Sequence, residues 1–101
     1  MNAIQKISEI TAQDCAEYIR YDDILTSDDE KLLNNLLGVA KTFICEYTGR
    51  TSEQADNYPD FVIVALILVQ DMWDNRTLYI DKDNLNKVVD CILGMHSVNL
   101  L

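Results

Sequence analysis

An uninterrupted apolar run in the middle of the chain constrains the fold most. Nine consecutive apolar residues extend from Phe61 to Val69, and no polar side chain interrupts them at a helical or a strand period. Pro59 and Asp60 precede the run and suit the first turn of a helix. Proline has no N–H to leave unbonded there, and an acidic side chain is favoured at the positive end of the helix dipole. No turn signal follows the run directly, so we predict a helix over about 59–76.

A helix that is apolar on every side has to be enclosed by other helices. The run is far shorter than the ~20 apolar residues that cross a bilayer, so we expect a buried helix and not a membrane anchor. The 101 residues include only three glycines and one proline, which leaves few turn residues for an all-β fold. We predict an all-α fold: a single domain over 1–101 that forms a compact bundle of four to five helices around helix 59–76.

Weaker patterns predict the helices that pack around the central one. Thr11 is placed to cap a short helix over about 12–20. Ser27 and Glu30 form a capping box at the start of the most amphipathic helix in the chain. Gly49 is placed to end that helix in a left-handed conformation. The polar stretch that follows is expected only to link it to the central helix.

The last third of the chain gives less definite signals. Residues 77–83 are partly β-prone and could form a loop or a brief strand. Asp81 or Asp83 is expected to cap a last helix, which Gly94 could end early. These segments complete the predicted bundle.

Composition argues against several classes of function. Seventeen acidic and eight basic residues give a net charge of −9, which disfavours nucleic-acid binding through phosphate neutralisation. The three cysteines lie far apart without a CxxC or Cys/His cluster, so neither a zinc site nor a disulfide framework is supported. The N-terminal sequence lacks the apolar region of a signal peptide. Reduced thiols fit cytoplasmic production.

No set of residues forms a recognisable catalytic or cofactor-binding motif. His96 is the only histidine, and the sequence nominates no Ser–His–acid or Cys–His–acid arrangement. Asp81–Asp83 begins like a calcium loop, but Leu85 stands where an oxygen ligand is needed and no glycine follows. Glycine-rich phosphate-binding motifs are absent from the sequence. We therefore expect no enzyme, no cofactor and no metal.

Two residues near the end of the central helix carry more information. Trp73 is expected to lie in the core or, failing that, to anchor an interface. Arg76 lies at the helix C-terminus, where a positive charge is favourable. Neither Trp73 nor Met72 offers it a carboxylate, so a salt bridge from Arg76 has to reach another element or another subunit.

The order of these motifs resembles the small head–tail connector proteins, also called head-completion or adaptor proteins, of tailed bacteriophages with long non-contractile tails. Residues 10–22, 28–51 and 59–76 carry the resemblance, and the chain length matches as well. The phrase YTGRT at 47–51, which closes a long helix, is similar to that family. So is the ending DMWDNR of the apolar helix at 71–76.

The resemblance implies a compact helical protein without catalytic activity. Members of the family assemble as a ring of about a dozen copies beneath the portal after DNA packaging. The ring connects the portal protein to the next neck or tail protein and continues the DNA channel. An acidic ring would let DNA pass without sequence-specific binding, because like charges repel. Such a protein resides in the host cytoplasm during assembly and then in the virion neck, without a membrane.

The resemblance covers about residues 10–93, and both ends of the chain depart from it. Residues 1–9 and 95–101 could be flexible or could bind a partner. The apolar residues of the tail would form a docking segment for the portal or for a neighbouring subunit. The predicted interface residues are Trp73, Arg76, Met95, Val98, Leu100 and Leu101.

Two other functions fit an acidic helical protein. It could be a DNA mimic that inhibits a host nucleic-acid-binding enzyme, or a regulatory subunit that binds one host protein. A DNA mimic needs carboxylates spaced like phosphates on one face, whereas here they gather at helix starts and in loops. Competition with DNA for a basic host enzyme would identify the first function. A stable complex with one host protein would identify the second.

Overall fold

The structure, a computed structural model, describes residues 5–21 and 24–97. Within these ranges the chain is all-α and contains no strand, as the sequence predicts. The α-helices are α1 (Ala12–Tyr18), α2 (Ser27–Thr48), α3 (Ser52–Ala55), α4 (Asp60–Asn75) and α5 (Lys87–His96). Two 3-10 helices span Ile7–Glu9 and Lys82–Asn84. No helix in the described part of the chain is long and apolar enough to span a bilayer.

Helix α4 is the central helix, and its prediction over 59–76 is confirmed. Pro59 and Arg76 flank it as the two cap residues, and the helix contacts α1, α2 and α5. Its buried side chains are Phe61, Val62, Val64, Ala65, Leu68, Val69 and Met72. The enclosure is incomplete on one edge, where Ile63 is 39% exposed. The expectation that an apolar run must be covered on every side is therefore wrong at that residue.

The long helix α2 begins one position from the predicted cap. Thr26, and not Ser27, is the N-cap residue, because Thr26 is still extended and its hydroxyl accepts a hydrogen bond from the Asp29 N–H at 3.2 Å. Ser27 is already helical. At the other end Gly49 adopts a left-handed conformation with φ 71°, which confirms the predicted C-terminus.

The structure corrects three predictions about the segments that follow α2. The stretch expected as a polar link contains α3, whose Thr51 and Gln54 form a reciprocal capping box. Asp81 caps the 3-10 helix and not α5, which is instead capped by Asn86. Gly94 does not end α5, which continues to His96.

The first described residues pack onto the domain. Ile7 is buried in the core. The N–H and hydroxyl of Ser8 donate to the two carboxylate oxygens of Asp56, at 3.1 Å and 2.8 Å. Residues 5–9 are thus held in place by contacts distant in sequence. The predictions made for residues 1–4 lie outside the described residues.

Contacts at the two ends of α4 fix the directions of α2 and α5. The start of α2 lies beside the end of α4, since Leu32 and Trp73 line the same hollow. The end of α5 lies beside the start of α4, since His96 pairs with Asp60. Helix α4 is therefore antiparallel to both α2 and α5. Residues 78–80 of the loop after α4 lie along α2, because they line a hollow with α2 residues from Gly38 to Glu46.

Candidate docking surface

The loop after α4 exposes two large apolar side chains next to each other. Leu78 is 63% exposed and Tyr79 is 66% exposed. Ile80, the next residue, packs against the core and holds the loop against the domain. Large apolar side chains that stand together on a small domain are typical of a contact surface.

Leu78 separates two hollows. The first, of about 230 Å³, lies between the start of α2 and the end of α4 and is lined by Leu32, Leu36, Met72, Trp73, Arg76, Thr77 and Leu78. The second, of about 410 Å³, runs along α2 and is lined by Gly38, Val39, Thr42, Phe43, Glu46, Leu78, Tyr79 and Ile80. Each lining includes a single charged residue, Arg76 in the first and Glu46 in the second. We call the residues that line the two hollows the Leu78 surface.

Trp73 belongs both to the core and to this surface. It is partly buried against the core cluster. The Tyr21 ring meets it edge-on with ring centroids 6.1 Å apart, and the Tyr21 hydroxyl donates to the Asp29 carboxylate. The Arg76 guanidinium lies 5.5 Å from the centre of the indole ring. Packing on two sides fixes the ring while another part of it lines the first hollow.

Arg76 ends α4 in a left-handed conformation, with φ 56°. The following N–H, that of Thr77, donates to the Met72 carbonyl at 3.1 Å, as in a Schellman ending. Glycine is the usual residue in this conformation, because a Cβ is disfavoured there. The arginine at this position instead places its guanidinium over Trp73. Among the described residues it forms no ion pair within 4 Å.

The structure separates the predicted interface residues into two groups. Trp73 and Arg76 lie on the Leu78 surface. Met95 is 66% exposed but lies in the last turn of α5, next to His96, which contacts Asp60. Along α4, Asp60 and Trp73 are about 20 Å apart at the ordinary helical rise, so Met95 is at the opposite end of the bundle.

The rest of the predicted docking segment is not described. Val98, Leu100 and Leu101 lie outside the described residues. Met95 is thus the only member of that segment whose surroundings the structure gives.

A cluster at the Met95 end holds α5 against the rest of the domain. Arg50 donates from Nε to the His96 carbonyl at 2.8 Å, and its guanidinium lies 4.6 Å from the Tyr58 ring centre. The His96 ring packs against Tyr58 and Phe61, and its Nε2 lies 3.3 Å from an Asp60 oxygen. Sequence reasoning missed this cluster, because its members are brought together only by the fold.

Sequence reasoning also missed Leu78 and Tyr79. The sequence predicts a loop or a brief strand over 77–83 and gives it no role. A usable signal was present, since two large apolar residues stand in sequence between two helices without belonging to the period of either. Gly38 is a second signal of a contact surface in the sequence, because glycine inside a helix costs about 1 kcal/mol relative to alanine and so calls for a reason.

Two carboxyl groups beside the loop have shifted pKa values in opposite directions. Burial, and then the negative charge of Asp74, raise the pKa of Asp71. Hydrogen bonds from the Asn84 side chain and the Asp83 N–H lower the pKa of Asp81. In residues 5–21 and 24–97, no three His, Cys, Asp or Glu side chains are grouped so as to hold a metal ion.

The cysteines differ in exposure. Cys15 is fully buried in the core, Cys45 is partly buried and Cys91 is exposed. Burial, with a smaller contribution from the charge of Asp14, raises the pKa of the Cys15 thiol to about 11. A thiol in this state is a poor nucleophile at neutral pH. Its role is packing between α1 and the core.

Comparisons of the chain with protein-family models, with curated proteins and with solved structures find no match in any of the three. The functional argument therefore depends on the sequence motifs and on the geometry of the Leu78 surface.

Proposed function

We propose that this chain is a structural virion protein, a head–tail connector of a long-tailed bacteriophage. Copies of it would form a ring that joins the portal to the next neck or tail component and continues the DNA channel. The order of the motifs in 10–22, 28–51 and 59–76 supports this assignment. So does an acidic, all-α domain of the size that the resemblance implies.

The observation that carries the proposal is the exposed pair Leu78 and Tyr79 between two apolar hollows. Burying the exposed part of each side chain against another protein would contribute about 1–2 kcal/mol. Trp73 and Arg76, residue types common at the energetic centres of interfaces, lie next to this pair. A connector has to bind other virion proteins, and this surface provides the apolar area for such a contact.

A connector in a neck touches a protein above it and a protein below it. The domain offers two separate apolar sites for these contacts, the part of the Leu78 surface around Trp73 and, at the opposite end of the bundle, Met95. A ring also needs a head-to-tail contact between copies, in which two different surfaces of the chain meet. Sides of the bundle that the Leu78 surface and Met95 do not occupy would form that contact.

The net charge of −9 fits the channel role. Repeated around a ring, it would produce a negative potential that repels the phosphate backbone. DNA would then pass without adhering to the wall. Binding of the free protein to DNA is expected to be undetectable at physiological salt.

Co-purification with the portal protein encoded in the same genome tests the proposal. Tagged portal rings are expected to retain the wild-type chain, and to retain much less of the double variant Leu78→Ser/Tyr79→Ser. The matched control is Val88→Ser, which removes an apolar side chain that is 51% exposed on α5 and lines neither hollow. Equal retention of all three proteins, or retention of none, would contradict the proposal.

A further inference from the structure

A third hollow lies beside the Leu78 surface. It is bounded by the second half of α4, the loop after α4 and the residues that lead into α5. Its volume is about 260 Å³, less than the ~300–1,000 Å³ of a site for a drug-sized molecule. Four residues belong both to this hollow and to the Leu78 surface: Met72, Thr77, Tyr79 and Ile80. A protein that covers Leu78 and Tyr79 would therefore lie next to the opening of the third hollow.

The lining of the third hollow combines apolar and acidic side chains. Its charged residues are Asp71 on α4 and Asp81, which caps the 3-10 helix. None of the described residues that line it is basic. The apolar side chains of the lining are Leu68, Met72, Ile80 and Leu85. A long basic side chain has the complementary composition, since an apolar stem carries its cationic head.

Most polar groups of the third hollow are left as hydrogen-bond acceptors. Asn75 donates from Nδ2 to the Asp71 carbonyl at 2.8 Å, and Asn84 donates from Nδ2 to the Asp81 carboxylate at 2.7 Å. No residue that the structure describes donates to the side-chain oxygens of these two amides, or to the Asp71 carboxylate. Asn86 is the exception, because its side-chain oxygen caps α5. The hollow therefore suits a ligand that brings several N–H donors.

The charges next to the hollow do not neutralise it. Arg76 is directed elsewhere, because its guanidinium lies over Trp73. Neither lysine beside the lining forms an ion pair within 4 Å with any carboxylate in the described ranges. The pKa of Asp71 is raised by burial and then by Asp74, and no cation lowers it. The charged residues adjacent in sequence to the lining are Asp74, Arg76, Lys82, Asp83 and Lys87.

We infer that the third hollow receives an arginine side chain of a partner protein, with the guanidinium at the Asp71 carboxylate and the stem on the apolar residues. A guanidinium holds its N–H donors in a fixed plane and pairs with a carboxylate in a bidentate manner. A lysine ammonium is a compact point charge without that plane, so it fits less well. The inference rests on the proposed function, because the partner is the portal protein that covers Leu78 and Tyr79. It adds the kind of residue that the portal presents beside that pair.

Titration of the isotope-labelled chain with N-acetylarginine amide, followed by NMR, tests the hollow by itself. The backbone amide signals of Asp71, Asn75 and Thr77 are expected to shift in the wild-type chain. They are expected to stay in place with N-acetylcitrulline amide, which has a similar shape but no charge, and in the Asp71→Asn variant with the arginine derivative. Equal shifts with both derivatives, or no shift with either, would overturn the inference. Shifts caused by magnesium or calcium chloride, but not by the arginine derivative, would also overturn it and identify a cation site.

Binding of the chain to immobilised portal rings tests the partner. Asp71→Asn is expected to raise the dissociation constant about tenfold, because the partner's arginine then lacks a charged acceptor. The fold is expected to remain intact, since a carboxyl group whose pKa is raised on folding does not stabilise the domain at neutral pH. Asp74→Asn is the matched control. It removes the same charge from the same helix, and Asp74 lines none of the three hollows, so binding should change little.

The outcomes separate this inference from the connector role. Portal rings that bind the wild-type chain, Asp71→Asn and Asp74→Asn equally would overturn the arginine contact while supporting the connector role. An equal loss of binding in the two variants would also overturn it, because only the overall charge would then matter. Portal rings that bind no chain, together with a wild-type chain that binds the arginine derivative at Asp71, would contradict the connector role and support the guanidinium site.

Discussion

Arg50 donates a hydrogen bond from Nε to the main-chain carbonyl of His96 at 2.8 Å, joining the end of α2 to the last turn of α5. The same guanidinium lies over the Tyr58 ring. The His96 ring packs against both Tyr58 and Phe61. One arginine thus connects three segments at the Met95 end of the domain.

Replacing Arg50 with Ala is expected to destabilise the domain by about 1–3 kcal/mol, because the bond to His96 and the contact with Tyr58 are both lost. Urea unfolding measures the change. Hydrogen exchange should show that the amides of α5 lose protection before those of α4 do. Lys87→Ala, an exposed change at the other end of α5, serves as the control. Equal stability of the two variants would show that the Arg50 contacts are unimportant.

Arg20 adopts a left-handed conformation with φ 60° just after α1. A non-glycine residue in this conformation costs about 1–2 kcal/mol. Glycine avoids this cost, but part of the gain is offset because glycine loses more conformational freedom when the chain folds. Arg20→Gly is therefore expected to stabilise the domain by about 0.5–1 kcal/mol. Arg20→Ala removes the same side chain but keeps the Cβ, so it should leave stability nearly unchanged. If the two variants have the same midpoint of thermal unfolding, the backbone argument is wrong.

Asp71 has a pKa above its ordinary value in the folded chain. Its contribution to stability is therefore complete below the unfolded pKa and is lost as the pH rises through the folded pKa. Asp71→Asn should raise stability slightly at pH 7 and leave it unchanged well below the unfolded pKa.

Asp81→Asn should change stability in the opposite direction, because the pKa of Asp81 is lowered in the folded chain. That variant should lower stability at pH 7, and the difference should vanish as the pH falls through the folded pKa. Urea unfolding of the Asp71→Asn and Asp81→Asn variants, at pH 7 and at an acidic pH below the pKa of each carboxyl group, checks the direction of each change in stability.

The three cysteines should react with a thiol reagent in the order of their exposure. Cys91 is expected to react first at pH 8 and Cys45 more slowly. Cys15 should react only when the domain unfolds, because burial both blocks access and raises its pKa to about 11. Mass spectrometry of the labelled protein assigns the sites, and Cys91→Ser should remove the fast phase. Labelling of Cys15 in the native protein at the rate of Cys91 would contradict its placement in the core.

Local sequence determines much of this fold. The apolar run after Pro59 predicts α4 to within one residue at each end, since a long uninterrupted run leaves no alternative boundary. The cap of α2 was misplaced by one residue because Thr26 and Ser27 are adjacent hydroxyl residues and either can serve. Helix α3 was missed because four residues show no period, although its capping box of Thr51 and Gln54 was readable.

The remaining errors come from contacts between distant residues. Gly94 looks like a helix end, but α5 continues because His96 is held by Arg50, Tyr58 and Phe61. The Leu78 surface exists only because the antiparallel arrangement of α2 and α4 brings Leu32 beside Trp73. No local pattern carries that information. Trp73 and Arg76 could be nominated from sequence, whereas their neighbours on the surface could not.

The mass of the complex between the chain and purified portal rings, measured by light scattering, tests the connector role most directly. The account predicts a complex in which each portal ring carries about a dozen copies of the chain, and a loss of that mass with Leu78→Ser/Tyr79→Ser. Portal rings whose mass is unchanged by an excess of the wild-type chain would contradict the account.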